Sequence, residues 1–264
     1  MTVNPGSLFR RRHILIGRAA LFLYLFSSVF PAAPCVAAAH PDALKIGVLA
    51  PLSGPYAAGG TSFVQAATLA VEQANAEGGV FGQRVTIVVG DTQGRVDVAK
   101  AEALRLVSRE KVSALVGAYL SEETVGVMEV AAAHRTVLLV PVAATAEITD
   151  LVRQEYARYR YVFRVGYSIP QWAEMIAAFL SDRKVRRYAF VGAGIRWNRE
   201  LGETLERIAA PRGIVPAYTA SPSITGTYTQ TLTALTTTST DGILASNSTT
   251  ALVGTPIQIS PRIR

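Results

Sequence analysis

The chain has 264 residues, half of them apolar, and a formal net charge of +7. A chain of this length and composition can bury a sizeable core, in one large domain or in two lobes, so disorder is not expected for the bulk of it. Four of the basic residues lie near the N-terminus: Arg10, Arg11, Arg12 and Arg18. Without them, the chain has 22 basic residues and 19 acidic ones. No basic run interleaved with aromatic residues follows, which argues against nucleic-acid binding.

The first 39 residues have the pattern of a secretion signal. A basic cluster at 9–13 precedes an uncharged apolar run at 19–30, and small residues follow at 36–39. The apolar run has 12 residues, whereas a membrane anchor needs about 20. We therefore predict a signal peptide over residues 1–39, cleaved after Ala39, and a periplasmic location. The basic cluster resembles a twin-arginine export signal, whereas the apolar run alone satisfies the general secretory route, so both routes stay open.

Cys35 is the only cysteine, and it lies within the predicted signal peptide. The mature chain then has no thiol for a disulfide or a zinc site. Lipid anchoring at Cys35 is the alternative, but Pro34 stands where such signals have a small flexible residue.

Enzyme signatures are absent from the sequence. It has neither a Gly-x-Ser-x-Gly elbow nor a Gly-Lys-Ser/Thr phosphate loop, and its three histidines are not clustered. Gly192 and Gly194 follow an apolar run, but Trp197 stands where a dinucleotide site needs a third glycine. We therefore predict a protein that is not an enzyme and that uses no cofactor or metal.

From Leu44 onward, short apolar runs alternate with longer amphipathic stretches, which is typical of strands followed by crossover helices. This pattern predicts an α/β fold in which parallel sheets are flanked by helices. The predicted strands are 44–50, 85–89, 114–117, 137–140, 161–165, 188–191, 214–215 and 241–245. The predicted helices are 63–74, 97–109, 122–134 and 172–180, with a weak helical pattern over 227–240.

A polar and aromatic stretch at 153–160 divides the predicted elements into a first lobe at 44–162 and a second lobe at 163–264. Residues 219–250 are rich in threonine and serine. After Thr249 the alternation requires a helix, but Gly254, Pro256 and Pro261 appear instead. The sequence therefore predicts a partial second lobe with an irregular C-terminal end.

The turn at 117–124 joins the end of a predicted strand to the start of a helix. Ligands of open α/β sheets bind at such edges. Ser121 is a natural N-cap, and its hydroxyl and the free amides behind it can hold a carboxylate. The positive end of the helix dipole would contribute about 0.3–1 kcal/mol to the free energy of binding that carboxylate. The alternative is that Ser121 only caps its own helix and that Glu122 and Glu123 only complement the helix dipole.

A similar turn follows the next predicted strand, at 141–147. Its small residues Ala143 and Ala144 let a ligand approach the backbone closely, and the two turns can face one cleft. The alternative is a plain loop in which Thr145 caps the following helix.

Several short segments occur in a specific order and spacing: IGV at 46–48, LSGP at 52–55, NAEGGV at 75–80, GAYLS at 117–121, 141–150, VFR at 162–164 and YAFV at 188–191. In these segments the chain resembles the branched-chain amino-acid (Leu/Ile/Val) binding proteins of ABC importers. The resemblance covers about residues 44–250. It implies a type I periplasmic binding fold whose two lobes close around a small solute, with a permease in the inner membrane as partner.

The resemblance also implies the residues of the ligand site: Tyr119, Leu120, Ser121, Ala143, Ala144, Thr145, Trp197 and Tyr56. Ser121 and the turn through Thr145 match positions that hold the solute's carboxylate and ammonium, and Trp197 matches an aromatic lid from the second lobe. Tyr119 and Leu120 match positions that line the side-chain pocket.

Gly59 departs from the family pattern, because amino-acid binders often have an aromatic residue there; Tyr56 is the nearby substitute. The implied solute is a small carboxylate such as a branched-chain amino acid, with aromatic acids, amides or urea as alternatives. Closure is expected at a hinge near Phe163.

A second departure concerns the crossings between lobes, of which the family has three and this sequence has one. The acidic residue with which family members pair an amino-acid ammonium has no match here. We therefore expect an incomplete second lobe with an open sheet edge. A truncated, non-functional fragment of such a receptor is the alternative.

Overall fold

A computed structural model of the protein describes residues 43–220, 241–246 and 258–260. The predicted signal peptide, the weak helix over 227–240 and most of the predicted irregular end lie outside these residues.

The first sheet has five parallel strands in the order β2-β1-β3-β4-β5. They are β1 (Leu44–Ala50), β2 (Val85–Asp91), β3 (Ala114–Val116), β4 (Val137–Val140) and β5 (Val162–Arg164). The central strands β3 and β4 are continuous apolar runs, as expected for parallel strands that are covered on both faces.

Helices connect these strands as crossovers. They are α1 (Ala57–Ala76), α2 (Val96–Ser108), α3 (Ser121–Ala133), α4 (Ala146–Gln154) and the single turn α5 (Tyr156–Tyr159). Helix α1 begins six residues before the predicted start at Phe63, because its first residues are small and show no apolar stripe.

The second sheet has the strand order β7-β6-β8-β9. Its strands are β6 (Arg187–Gly192), β7 (Val215–Ala220), β8 (Gly242–Ser246) and β9 (Gln258–Ser260), and its helices are α6 (Ile169–Asp182) and α7 (Arg196–Ala209), the latter followed by a 3-10 turn (Ala210–Arg212). Strand β9 pairs antiparallel with β8. The sequence predicted no strand at β9, and β9 covers the side of β8 that was expected to be open.

The predicted α/β fold with parallel sheets flanked by helices is confirmed. The predicted lobe boundary between residues 162 and 163 falls inside β5. This strand pairs with β4, with Leu138 opposite Val162 and Val140 opposite Arg164. It therefore completes the first sheet, and Phe163 lies within that sheet.

Each sheet has its own apolar core. The first core contains Leu49, Leu106, Leu115, Met128 and Leu138. The second contains Ile169, Leu180, Tyr188, Leu201 and Leu205.

The two cores meet at the turn after β4. Ala143 packs into the first core and the next residue, Ala144, into the second. The amide of Ile169 donates a hydrogen bond to the Ala144 carbonyl at 2.8 Å. This turn therefore belongs to both halves of the protein. Within the described ranges, no helix is both long and apolar enough to span a membrane.

Candidate functional site

A cavity of about 490 Å³ lies at the carboxyl ends of the strands of both sheets. Its size is within the range of ligand pockets, about 300–1,000 Å³. The order β2-β1-β3-β4-β5 reverses direction between β1 and β3, and ligands of open α/β sheets bind at such a switch point. The loops after β1 and β3 supply Tyr56 and Tyr119 to the cavity wall.

Seven of the eight predicted site residues line this cavity: Tyr56, Tyr119, Leu120, Ser121, Ala143, Ala144 and Trp197. Trp197 comes from α7 and is joined by Ile195, just before that helix, and by Trp172 of α6. The sequence placed Trp172 only at the start of the predicted helix 172–180, so its place in the cavity was missed.

Ser121 is the first residue of α3, and the N-cap is Leu120, so the prediction that Ser121 caps the helix is wrong. Leu120 has extended backbone angles, and its amide donates to Oε2 of Glu123 at 3.1 Å. Ser121 is buried. Within the described ranges its hydroxyl forms no hydrogen bond to another residue, so the helix cap does not occupy it.

Thr145 is the predicted site residue that lies outside the cavity. It is the N-cap of α4, where its Oγ1 accepts from the Glu147 amide at 3.4 Å. The same oxygen accepts from Nη2 of Arg196, also at 3.4 Å. Thr145 lines an adjacent hollow with Glu147 and Arg196. The hydroxyl therefore serves the local cap, which was the alternative interpretation of this residue.

Arg164 fixes the turn that carries Ala143 to Thr145. From β5, its Nη1 donates to the Ala143 carbonyl at 3.2 Å and its Nη2 to the Thr145 carbonyl at 2.6 Å. Its Nε is buried without a partner, and burial lowers the pKa of the guanidinium. The sequence indicated Arg164 only as part of the VFR segment, because its partners are backbone atoms that no residue pattern reveals.

The two tyrosines of the wall are both partly buried. The Tyr119 ring fills the space beside Gly59 and meets the Phe63 ring edge-on at 6.5 Å. The Tyr56 ring packs against Gly94. Burial raises the pKa of Tyr119, and burial together with the charges of Glu122 and Glu123 raises the pKa of Tyr56. Both phenols are thus neutral at physiological pH.

The wall of the cavity also includes Glu122 and Glu123. Burial raises the pKa of Glu123, and the charges of Glu122 and Asp91 act in the same direction, whereas the Thr92 hydroxyl and the Leu120 amide oppose them. Neither the Thr92 hydroxyl nor Oε1 of Glu123 has a hydrogen-bond partner of good geometry in the described part of the chain. Across the same residues, there is no group of three or more metal-binding side chains.

Arg196 links a helix of the second sheet to the first. It forms ion pairs with Glu147 of α4 and with Glu200 on its own helix. These contacts lie beside the cavity and connect its two sides.

Comparison with known proteins gives a consistent picture. A family profile described as "Periplasmic binding protein" matches residues 43–255. The Leu/Ile/Val-binding protein BraC3 of Rhizobium johnstonii is 31% identical over 177 residues, 67% of this chain and 46% of that protein. The Leu/Ile/Val-binding protein homolog 7 of Brucella abortus is 31% identical over 140 residues, 53% of this chain and 33% of that protein. The matched part is thus less than half of either relative.

Solved structures share the fold. The branched-chain amino acid transporter substrate-binding protein LivJ of Streptococcus pneumoniae, in complex with isoleucine, has a TM-score of 0.64 at 23% identity, over 77% of this chain and 57% of that one. A solute-binding protein of an ABC transporter from Rhodopseudomonas palustris, in complex with p-hydroxybenzoic acid, has a TM-score of 0.67 at 21% identity, over 78% of this chain and 54% of that one.

Proposed function

Because the chain belongs to the periplasmic binding protein family, we propose that it is the solute-binding component of an ABC importer. It captures a small carboxylate, such as a branched-chain amino acid, in the cavity between its two sheets. The observation that supports this most is that one cavity at the carboxyl ends of both sheets is lined by seven of the eight residues implied by the resemblance. The prediction that the chain is not an enzyme is confirmed, since the family consists of binding proteins.

The first side of the site holds the polar end of the solute. Backbone amides at the start of α3 have no partner within the helix and carry its positive dipole end. The Ser121 hydroxyl adds a donor beside them, and Ala143 and Ala144 present little more than backbone. Arg164 holds the carbonyls of this second turn, so the turn is preorganised for binding.

The second side covers the solute. Trp197 and Trp172 line the cavity from α7 and α6, and a large apolar ring contributes most when it is removed from water. Closure would stabilise the complex only through contacts made by both sides at once. In this proposal Thr145 supports the site by capping α4 and does not touch the solute.

Aromatic acids are the second candidate solutes. Four aromatic side chains line the cavity: Tyr56, Tyr119, Trp172 and Trp197. The structural neighbour from Rhodopseudomonas palustris holds p-hydroxybenzoic acid. Aromatic walls suit such a ring as well as they suit a branched aliphatic chain.

Family membership implies an extracytoplasmic location. We further propose that residues 1–39 direct export to the periplasm and that an inner-membrane permease is the partner. The first lobe would run from 44 to 164 and the second from Ile169 onward, with the hinge in the segment between β5 and α6.

Calorimetric titration of the purified protein with leucine, isoleucine and p-hydroxybenzoate tests the proposal. We expect at least one solute to bind with a dissociation constant in the micromolar range, which corresponds to a binding free energy of about −8.2 kcal/mol. Ser121→Ala and Trp197→Ala should weaken binding, and Ser62→Ala, on the exposed side of α1, should not. Absence of binding by all three solutes would contradict the proposal.

A further inference from the structure

Within the described ranges, helices cover one face of the first sheet but only half of the other. Leu115 of β3 and Leu138 of β4 lie in the first apolar core, together with residues of α2 and α3. Successive side chains of a strand point to opposite faces, so Val116 and Leu139 point away from that core. Because crossovers are right-handed and the strand order reverses between β1 and β3, α1 lies on this second face. There it packs against β1 and β2, beside the uncovered strands β3, β4 and β5.

The uncovered surface is continuous and uncharged. Val116 lies opposite Leu139 in the sheet, and Leu139 lies opposite Phe163. Phe163 is 51% exposed, and Val165, which continues the alternation beyond β5, is 69% exposed. Parallel strands that are apolar on both faces are normally covered on both, so this surface is suited to a partner. It consists of six apolar residues: Ala114, Val116, Val137, Leu139, Phe163 and Val165.

Helix α1, which stands beside this surface, is largely exposed although it carries almost no charge. Only Glu72 among its 20 residues is charged, and within its described length only Gly59 and Gly60 are buried. Leu69 and Ala70 are exposed near its middle. A helix that faces water normally carries charged residues on its outer side. The outer side of α1 is therefore also suited to a partner.

We propose that a second copy of this chain covers this surface, so that two copies form a dimer about a two-fold axis. The α1 helix of each copy lies on the uncovered strands β3, β4 and β5 of the other. A helix is about 10 Å in diameter, so α1 forms a step on its own sheet, and the α1 of a second copy has the height to fill that step. The same patch then serves both copies, as a two-fold interface requires. Each α1 lies between two sheets, which agrees with its lack of charge.

The size of the patch suits a dimer. A helix of 20 residues is about 30 Å long and 10 Å wide. Three strands at a spacing of about 5 Å add about 15 Å to the width. The footprint is thus roughly 750 Å² for each copy, close to the roughly 800 Å² per partner of a stable interface.

Other parts of the same chain are tied to the second sheet. Residues 221–240 join β7 to β8, and residues 247–257 join β8 to β9, so both connections begin and end at strands of that sheet. Residues 1–39 form the predicted signal peptide, which export removes. The uncovered surface has no charge with which to select a nucleic acid or a charged peptide. A second copy is therefore the occupant that these observations favour.

Sedimentation velocity of the full chain over a series of concentrations tests the proposal. We expect a reversible equilibrium between monomer and dimer. Leu69→Glu and Phe163→Glu each place a charge in the apolar interface and should raise the dissociation constant of the dimer about tenfold or more. The control Leu104→Glu makes the same kind of change at a position of similar exposure, 47% against 56% for Leu69. It lies on α2, on the covered face of the sheet, and should leave the dimer unchanged.

Urea unfolding of each variant shows whether it is folded, and Leu69→Ala, a milder change that suits a helix, should weaken the dimer in the same direction. A monomer at every concentration would overturn the proposal and leave the surface to a different protein. So would a dimer that Leu69→Glu and Phe163→Glu weaken no more than Leu104→Glu does. Growth beyond the dimer would also contradict it, because a two-fold interface closes with two copies.

Discussion

Gly59 and Tyr119 occupy complementary space in the cavity wall: a Cβ atom added to Gly59 would lie 2.5 Å from Oη of Tyr119 and 2.9 Å from its Cζ. Gly59 lies in the first turn of α1 and is buried, and Tyr119 comes from the turn after β3. The absence of a side chain at Gly59 is thus what admits the Tyr119 ring. The aromatic surface that the resemblance led us to seek at position 59, or at Tyr56, is also provided by Tyr119.

Replacement of Gly59 by alanine should therefore destabilise the protein by about 1–3 kcal/mol, the usual cost of overpacking. Helix propensity alone would act in the opposite direction, by up to about 1 kcal/mol. Urea unfolding measures the difference. In a Tyr119→Ala background the clash is gone, so the same substitution should be neutral or stabilising. An equal cost in both backgrounds would refute the fit between these two residues.

Loss of the Arg164 guanidinium should loosen the turn after β4. Arg164→Met removes the donors to the carbonyls of Ala143 and Thr145. We expect a loss of about 2–4 kcal/mol in the free energy of unfolding, since a hydrogen bond from a charged group contributes roughly 1.5–3 kcal/mol. The matched control Arg153→Met breaks an exposed pair with Asp150 and should cost less than about 1 kcal/mol. Equal effects of the two substitutions would argue against a special role for Arg164.

The ion pair between Arg196 and Glu147 should be weak and sensitive to salt. Both side chains are partly exposed, at 29% and 38%, and such pairs contribute at most about 1 kcal/mol. Glu147→Gln should therefore destabilise the protein slightly, by an amount that shrinks as ionic strength rises. Glu203→Gln, exposed on α7, serves as the control. A loss of several kcal/mol that does not respond to salt would contradict this expectation.

The stability of the protein should depend on pH through Glu123. Burial raises the pKa of this carboxyl in the folded state above its ordinary value of 4.5, so folding favours the protonated form. The stabilisation that results from this raised pKa is fully present at pH values below the pKa of Glu123 in the unfolded chain. It is lost as the pH rises through the pKa of Glu123 in the folded protein. Glu123→Gln lacks this dependence but keeps an acceptor for the Leu120 amide.

The measurement is the free energy of unfolding of both proteins in urea, over a pH series from 4 upward. We expect the wild-type value to fall relative to that of Glu123→Gln as the pH rises. Glu129→Gln, at an exposed position on the same helix, serves as the control. Parallel pH profiles for wild type and Glu123→Gln would contradict a raised pKa for this carboxyl in the folded state.

The apolar pattern predicted most of the fold, because parallel strands covered on both faces must be apolar along their whole length. Strands β3 and β4 were recognisable for this reason. The membership of β5 in the first sheet was not, since its position in the chain says nothing about which strand it pairs with. Strand β9 has only three residues, too few to show a period.

The sequence located the two turns of the candidate site but did not show which residue in each turn has which role. Ser121 was expected to cap α3, yet Leu120 is the cap and the carboxylate of Glu123 completes it. Thr145 was placed in the site and instead caps α4. Arg164 and Trp172 were missed because their roles arise from distant segments brought together by folding. A Glu three residues after the N-cap was the one available signal for Glu123.

The adjacent residues Ala143 and Ala144 lie in different apolar cores, and this has a consequence for how the protein melts. If one core lost its packing, the peptide bond between these alanines would move and disturb the other core. The two halves should therefore lose structure in a single calorimetric transition. A solute bound at this turn would raise the melting temperature of both halves together, because contacts made with one half would also stabilise the other.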